Sequence, residues 1–416
     1  MTAFEDLYKA LLRDAVQGKE TNMDTIEYDA HQLDCLLHPQ AHAPVWQTGA
    51  CGGHCGEDDP RCAAACMFRA VTKGKDGKVV IDPEKCAGCG ACIAACESGA
   101  LTASRDILPA LHAIKHAKGP VYALIAPAFL GQFSKDVTPG MLRSALKAIG
   151  FDGMVEVALF ADILTLKEAL EFDHNINSDN DFQLTSCCCP MWIAMIRKIY
   201  SQLMPHVPGA VSPMIAAGRT VKFLHPDALT VFIGPCVAKK AEAKEPDVKG
   251  AVDFVLTFQE IRDVFEAAGI DPEKMEDTQK DHSSRAGRIY ARSGGVSEAV
   301  QATVHRLHPD RSIGVKTRRA DGIPACKEMI EELQSGKRDA NFFEGMGCVG
   351  GCIGGPKAIV DRETGRENVD RYGDAATYPT PLDNPYVLEL LKRLGFDTVE
   401  EFLQKSDMFN RDFHER

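Results

Sequence analysis

Apolar positions at helical spacing open the chain. Phe4, Leu7, Tyr8, Leu11, Leu12 and Val16 fall on one face of an amphipathic helix predicted over 1–24, read as a packing face. Over 25–50 the period is lost among His31, His38, His42, Pro39 and Pro44, and the segment reads as loop. Between 51 and 104 large apolar side chains give way to Ala, Gly and Cys. Such a stretch cannot build a hydrophobic core and needs an inorganic staple to fold. From about residue 105 strand-like runs appear at Val121–Ile125, Met154–Leu159, Thr230–Ile233 and Phe254–Thr257. Helical periods accompany them at Met141–Ala148, Ala161–Phe172, Trp192–Tyr200 and Phe258–Ala268. This alternation predicts an α/β domain in two lobes, roughly 105–215 and 216–360. A last helix is expected over Asn384–Leu394, with Pro385 near its start. The predicted organisation is thus a helix and loop (1–45), a Cys-rich domain (46–105), a two-lobed α/β domain (106–360) and a helical tail (361–416).

The 416 residues are 45% hydrophobic and 25% charged, which excludes wholesale disorder. Lys and Arg number 47 against 59 Asp and Glu, a net charge of −12, and no basic stripe for nucleic acid is present. No apolar run reaches the roughly 20 residues that cross a bilayer. The N-terminus lacks the basic-then-apolar layout of a signal peptide. The expectation is a cytoplasmic protein without membrane or nucleic-acid partners.

Sixteen cysteines change the picture. In a reducing compartment so many thiols are metal ligands or catalytic groups. Cys86-Ala-Gly-Cys89-Gly-Ala-Cys92-Ile-Ala-Ala-Cys96 has the spacing in which three thiolates hold one 4Fe–4S cubane and the fourth reaches a second. Cys51-x3-Cys55-x6-Cys62-x3-Cys66 is a stretched version of it. Crossed pairing then puts Cys51, Cys55, Cys62 and Cys96 on one cluster and Cys66, Cys86, Cys89 and Cys92 on the other. Zinc, which prefers separated pairs in tetrahedral sites, fits this run poorly. Met67 and Glu97 stand where a proline usually follows the fourth cysteine. Two cubanes in series make an electron wire, a ferredoxin-like module.

Three further loops carry thiols among Gly and Pro: Thr185-Ser-Cys-Cys-Cys-Pro-Met-Trp192, Gly234-Pro-Cys-Val-Ala-Lys-Lys-Ala-Glu242, and Glu344-Gly-Met-Gly-Cys-Val-Gly-Gly-Cys-Ile-Gly-Gly-Pro356. Small and rigid residues allow close backbone approach to a bulky inorganic group. Cys348-x3-Cys352 suits two ligands of one cluster, whereas the lone Cys326 reads as an inert buried thiol.

With these loops in this order, residues 110–360 resemble the FeFe-hydrogenases, and a ferredoxin-like module ahead of them is a common arrangement in that family. Ala126-Pro127-Ala128, Phe160-Ala-Asp162 and Ser293-Gly-Gly-Val296 add to the likeness, while the triple cysteine is similar to a divergent branch. The resemblance implies a two-lobed hydrogenase-type fold and an H-cluster, a 4Fe–4S cubane joined through a cysteine sulfur to a two-iron unit with CO, cyanide and azadithiolate. It implies Cys189, Cys236, Cys348 and Cys352 as cubane ligands, with Cys352 bridging. Lys239 would donate to one cyanide, the backbone of Pro127 and Ala128 would meet the other, and Met346 would pack near the bridging carbonyl. Aligned on Pro190, Cys188 is the proton-relay thiol; aligned on Thr185-Ser186, Cys187 is the relay and Cys188 the ligand. Glu168 and Glu171, one helical turn apart, match the relay carboxylates, and a solvated acidic face is the plainer reading of the pair.

Departures from the family pattern are Pro208 in place of a relay serine, Gly234 in place of a methionine and Met214 in place of a glutamine. His31-x3-Cys35-x2-His38 resembles an accessory-cluster motif but lacks the later cysteines, and His54 reads as a loop residue. The implied activity is the reversible reduction of protons to H2. A ferredoxin or flavodoxin-type electron carrier and maturation proteins for the two-iron unit are the implied partners. An iron–sulfur assembly protein or an H2 sensor on the same fold is the alternative; the former needs no proton path, and the latter should carry a signalling domain.

Overall fold

The computed structural model describes residues 3–51, 60–74, 78–185, 188–278, 280–404 and 407–413. Cys55, His54, Ser186 and Cys187, singled out above, lie outside the described residues. The N-terminal helix is Ala3–Gln17, shorter than expected, and buries Phe4, Leu7, Tyr8 and Leu12. The predicted loop over 25–50 is not all loop: Ala30–Leu37 is helical, with the Asp29 carboxylate capping it by accepting from the His31 and Gln32 amides. That capping signal was outweighed in the sequence by the surrounding His and Pro.

The Cys-rich module holds two antiparallel ribbons, β1 (Val45–Gln47) with β4 (Leu101–Ala103), and β2 (Val71–Lys73) with β3 (Val79–Ile81). One-turn helices Arg61–Ala64 and Ala91–Ala94 repeat in its two halves, each with a buried cysteine, Cys62 or Cys92, at its second position. The small cluster joining these halves is built largely of thiols and short apolar side chains.

From residue 121 the chain contributes β5 (Val121–Ile125), β6 (Gly153–Glu156), β7 (Gln183–Leu184), β8 (Leu229–Gly234), β9 (Phe254–Thr257), β10 (Thr317–Asp321) and β11 (Phe342–Met346). They form two parallel sheets with strand orders β6-β5-β8-β9 and β10-β11-β7. The expected division at 215/216 is not how the lobes are assembled. β5, β6, β8 and β9 come from both halves, and β7 leaves the first half to pair with β11. Pattern alone locates strands, whereas their partners are chosen by long-range pairing. The run expected at Met154–Leu159 is a strand only to Glu156, and a helix begins at Ala158. That Ala158–Asn175 helix is buried on most of its circumference, so its sequence shows little amphipathic period.

In open parallel sheets, ligands sit outside the carboxyl ends of the strands, where the order reverses. Here β5 lies between β6 and β8, and Pro127, Val157, Cys188 and Met346, at or just past the carboxyl ends of β5, β6, β7 and β11, line one cavity. The strand ends feed the predicted motifs directly: β5 into Pro127 and Ala128, β8 into Cys236 and Lys239, β7 into Cys188 and Cys189, and β11 into Cys348 and Cys352.

Candidate active site

Cys189 caps the Pro190–Ile199 helix, Pro190 fixing the first helical residue, and its Sγ lies 3.3 Å from the Gly347 amide nitrogen. Close approach is compulsory here: a Cβ on Gly345 would sit 2.1 Å from the Trp192 ring, and one on Gly347 2.5 Å from Met191. The third loop is stitched down from the other side. Ser293 N donates to Gly350 O at 2.9 Å, and Gly351, at φ +85°, would place a Cβ 2.7 Å from Ser293 N. Glu344 under this loop is buried and accepts from the Gly294 and Ser297 amides and the Ser297 hydroxyl at 2.6–2.8 Å.

The four thiols converge. Burial, then the neighbouring thiols Cys236, Cys189 and Cys352, lift Cys348 well above its ordinary pKa. Burial and then Cys236 and Cys189 push Cys352 up to about 12. Cys236 is pushed up to about 11 by burial and by Cys189, against opposing donations from the Lys239 and Ala238 amides and the Lys239 charge. Thiols so placed cannot ionise together without strongly cationic compensation, and iron in a cubane provides it. The donor set fits the group that the motifs imply.

Beside these thiols lies a narrow, almost wholly apolar cavity whose lining includes Pro127, Cys188, Lys239, Tyr290, Met346 and Cys352. Met214 lines it as well, where family members carry a polar glutamine. Ala128 is buried next to Pro127 in the turn that follows β5. Lys239 is buried and donates to Glu242 Oε2 at 2.7 Å. Burial works to lower its pKa, but Glu242, Cys236 and Cys188 outweigh it and the ammonium is held above its ordinary value. Cys188 is lifted well above a free thiol by burial, then by Cys189 and Glu168.

Glu168 is buried and Glu171, one helical turn on, is half-buried with one oxygen sealed from solvent, so the pair is not a solvated acidic face. Glu171 pairs with the buried ammonium of Lys167. Its second oxygen is buried with no hydrogen-bond partner among the described residues. Burial raises its pKa and Lys167 opposes that rise. Glu171 also lines an open polar pocket together with His206 and Pro208, leading toward solvent.

In the Cys-rich module Cys66, Cys86, Cys89 and Cys92 act on one another electrostatically, the set that crossed pairing groups together. Burial, chiefly, pushes Cys86 up to about 11 and Cys92 up to about 12. Cys51 lies 3.7 Å from Gln47 Nε2, Cys96 lies 3.4 Å from Ser98 Oγ, and Cys62 is buried. Cys89 also acts on Cys348, and a Cβ on Gly88 would meet Ala238 Cα at 2.9 Å, so the module abuts the loop of Cys236 and Lys239. Cys35 lies 3.7 Å from His31 Nε2, but no third His, Cys, Asp or Glu among the described residues joins them in a site for a single metal ion. Cys326 donates to Met346 O at 3.3 Å, an inert role as expected.

Three site residues had no signal in the sequence. Glu242 was only the end of a quoted motif, Lys167 stood inside the Glu168–Glu171 turn, and Tyr290 belongs to no spacing.

Residues 119–356, more than half of the chain, match the family described as "Iron only hydrogenase large subunit, C-terminal domain", and the chain belongs to that family. Residues 79–102 match a 4Fe-4S binding domain. Iron hydrogenase 1 of Clostridium pasteurianum is 27% identical over 287 residues, covering 59% of this chain and 50% of that protein. The chain thus spans about half the length of this curated relative. Protein NAR1 of Arabidopsis thaliana is 23% identical over 402 residues, covering 78% of this chain and 83% of that one. Among solved structures, a variant of [FeFe]-hydrogenase HydA1 from Chlamydomonas reinhardtii has a TM-score of 0.61 at 20% identity, covering 74% of this chain and 98% of its own. The fold is that of FeFe-hydrogenase catalytic domains, with a ferredoxin-like motif ahead of it.

Proposed function

We propose that the protein is an iron-only hydrogenase that interconverts protons and electrons with H2. The observation that carries this reading is the apolar cavity that brings Cys188, Lys239, Met346 and Pro127 against the converging thiols. Cys189, Cys236, Cys348 and Cys352 would hold a cubane, and the two-iron unit would occupy the cavity and supply an open position for proton reduction. Lys239 presents a fixed cation for an anionic ligand, and Glu242 holds it in place. Pro127, Ala128, Met214 and Met346 exclude water from the cavity. Cys188 holds a proton at Sγ, Glu168 exchanges it, and Glu171 passes it to the open pocket by Pro208. Pro208 has no hydroxyl, so the step between the carboxylates runs through water. Cys51, Cys55, Cys62 and Cys96 would hold one cubane and Cys66, Cys86, Cys89 and Cys92 another, groups that would supply electron relay; Cys89 of the latter set acts on Cys348. A ferredoxin or flavodoxin-type carrier would supply the electrons in the cytoplasm, after maturation proteins have installed the two-iron unit. No helix among the described residues is long and apolar enough to cross a membrane.

Similarity to NAR1 along most of the chain, and over 103 residues to a protein named Cytosolic Fe-S cluster assembly factor NAR1 homolog, favours a second reading, an iron–sulfur assembly protein that holds cubanes only. Coexpression with the maturation proteins, followed by infrared spectroscopy, separates the two. Carbonyl and cyanide bands with about 14 irons per chain support the hydrogenase, whereas about 12 irons and no bands support the assembly protein.

A further inference from the structure

Tyr290 follows the one-turn helix Arg285–Arg288, and its backbone position is over-determined. Gly287 beside it is so close to Ala158 O that a Cβ would come within 2.1 Å. Asp162 accepts from the Ser284 and Gly287 amides at 2.7 and 2.8 Å, tying this turn to the Ala158–Asn175 helix. Arg292 bridges to Gly351 on the far side. The backbone that carries the ring is therefore fixed against the wall that it shares with Cys188, Lys239, Met346 and Cys352.

Its chemistry does not match that wall. Only 5% of Tyr290 is exposed, and the hydroxyl oxygen is sealed from solvent without a hydrogen-bond partner among the described residues. Thr165, the neighbouring hydroxyl, gives its own proton to Ala161 O at 2.7 Å; it lies close enough to act on the phenol, but the two oxygens do not meet at hydrogen-bond geometry. A buried O–H left without a partner is unfavourable unless something bound at the site accepts from it. Phenylalanine would fill the same space without that penalty. Burial, and then the charge of Glu168, raise the phenol well above its ordinary pKa, so at neutral pH it can only be a neutral donor.

We propose that Tyr290 is a second hydrogen-bond donor of the cavity, giving its phenolic proton to an anionic diatomic ligand, cyanide-like in chemistry, of the group bound there. The inference rests on the iron centre proposed above. Lys239 supplies one donor with a full charge; Tyr290 supplies a weaker, neutral one from a different wall. A donor on such a ligand withdraws electron density from iron and lessens back-donation into the carbonyls.

Infrared spectra of the matured holoprotein and of Tyr290→Phe test this, with the cubane signals in electron paramagnetic resonance reporting that the variant is folded and loaded. The expected result is a full set of bands in both proteins, with the carbonyl bands of Tyr290→Phe at lower frequency. Coincident bands would overturn the inference while leaving the hydrogenase reading intact. No bands in the unsubstituted protein would sink the reading itself and the inference with it. If Tyr290→Phe does not accumulate, incorporation of a ring-fluorinated tyrosine at 290 makes the donor more acidic. The carbonyl bands should then move upward, and unmoved bands again overturn the proposal.

Discussion

Two adjacent lysines show how little a residue type says without its surroundings. Lys239 faces the cavity and is held by Glu242, whereas Lys240 is sealed in a buried ion cluster with Asp106 and Glu260 at 2.9 and 3.1 Å. The first suits a role at a ligand; the second clamps the chain entering the α/β domain to the Phe258–Ala268 helix, whose capping box also uses Glu260. Lys240→Met should cost about 3–5 kcal/mol in chemical denaturation, because two buried carboxylates lose their cation. An unchanged midpoint would show that the cluster contributes nothing net. Chemistry at the cavity is tested one atom at a time. Cys188→Ser should largely abolish H2 turnover while leaving the infrared bands in place, because a hydroxyl is far less acidic than a thiol, even one that burial lifts above its ordinary pKa. Loss of the cubane signal instead would make Cys188 a ligand and Cys187 the relay. Glu168→Gln keeps shape but cannot cycle a proton, so turnover should fall by roughly 10²–10⁴-fold with the clusters still reducible. Near-normal hydrogen evolution under saturating reductant would mean that the protons travel elsewhere. The thiols were legible in the sequence because cluster ligation imposes spacing and small neighbours; Glu242 and Tyr290 were not, since a hydrogen bond or a cavity wall imposes neither.

Elements that hold the site in place come from remote segments. Residues 407–413 lie along 209–211, where Val211 N donates to Phe409 O at 2.9 Å, and Arg411, 6% exposed, reaches the loop after Lys239. Its guanidinium donates to Asp247 Oδ2 at 2.6 Å and to Glu245, and lies 3.8 Å from Glu242 Oε1. The cation that fixes Glu242, and through it Lys239, is thus carried by the tail, a segment in which only one helix was expected. Arg411→Ala should destabilise the fold by about 3–5 kcal/mol at neutral pH. Burial pushes the Asp247 carboxyl up, but the bond and charge of Arg411 outweigh it and hold the group below its ordinary range. A depressed carboxyl contributes stability that is full above its unfolded pKa of about 3.9 and is lost as pH falls through the native value. The gap between the two proteins should therefore narrow as denaturation is repeated below about pH 4. A gap that stays constant would assign the loss to packing of the arginine stem. The burial of the Ala158–Asn175 helix explains a different miss: with apolar residues on most faces, no stripe marks its start.

At the scale of the molecule, the α/β class and the Cys-rich module could be read from the chain, but the pairing of strands could not. Each strand's apolar run is local, whereas β7 finds β11 across more than a hundred intervening residues, and no pattern within either run encodes that choice. The junction between module and α/β domain was equally silent in the sequence, although on the hydrogenase reading it decides whether electrons arrive. It turns on Gly88, between Cys86 and Cys89. The residue adopts φ +69°, and an added Cβ would stand 2.9 Å from Ala238 Cα and 3.0 Å from Val237 O. Both atoms are backbone of the loop that carries Cys236 and Lys239, so neither can swing aside as a side-chain tip would. Gly88→Ala adds about 1–2 kcal/mol of left-handed backbone strain and forces the two bodies apart. Cys89 acts electrostatically on Cys348, so on the hydrogenase reading the widened gap would lie between the module's clusters and the centre at Cys348. H2 evolution driven through the module should drop, while the module's own clusters still assemble and reduce, as followed by electron paramagnetic resonance. A small viologen that reaches the catalytic centre directly should restore part of the rate. If carrier-driven and viologen-driven rates fall together, the substitution has damaged the catalytic loop itself, and the contact at Gly88 is structural packing and no conduit.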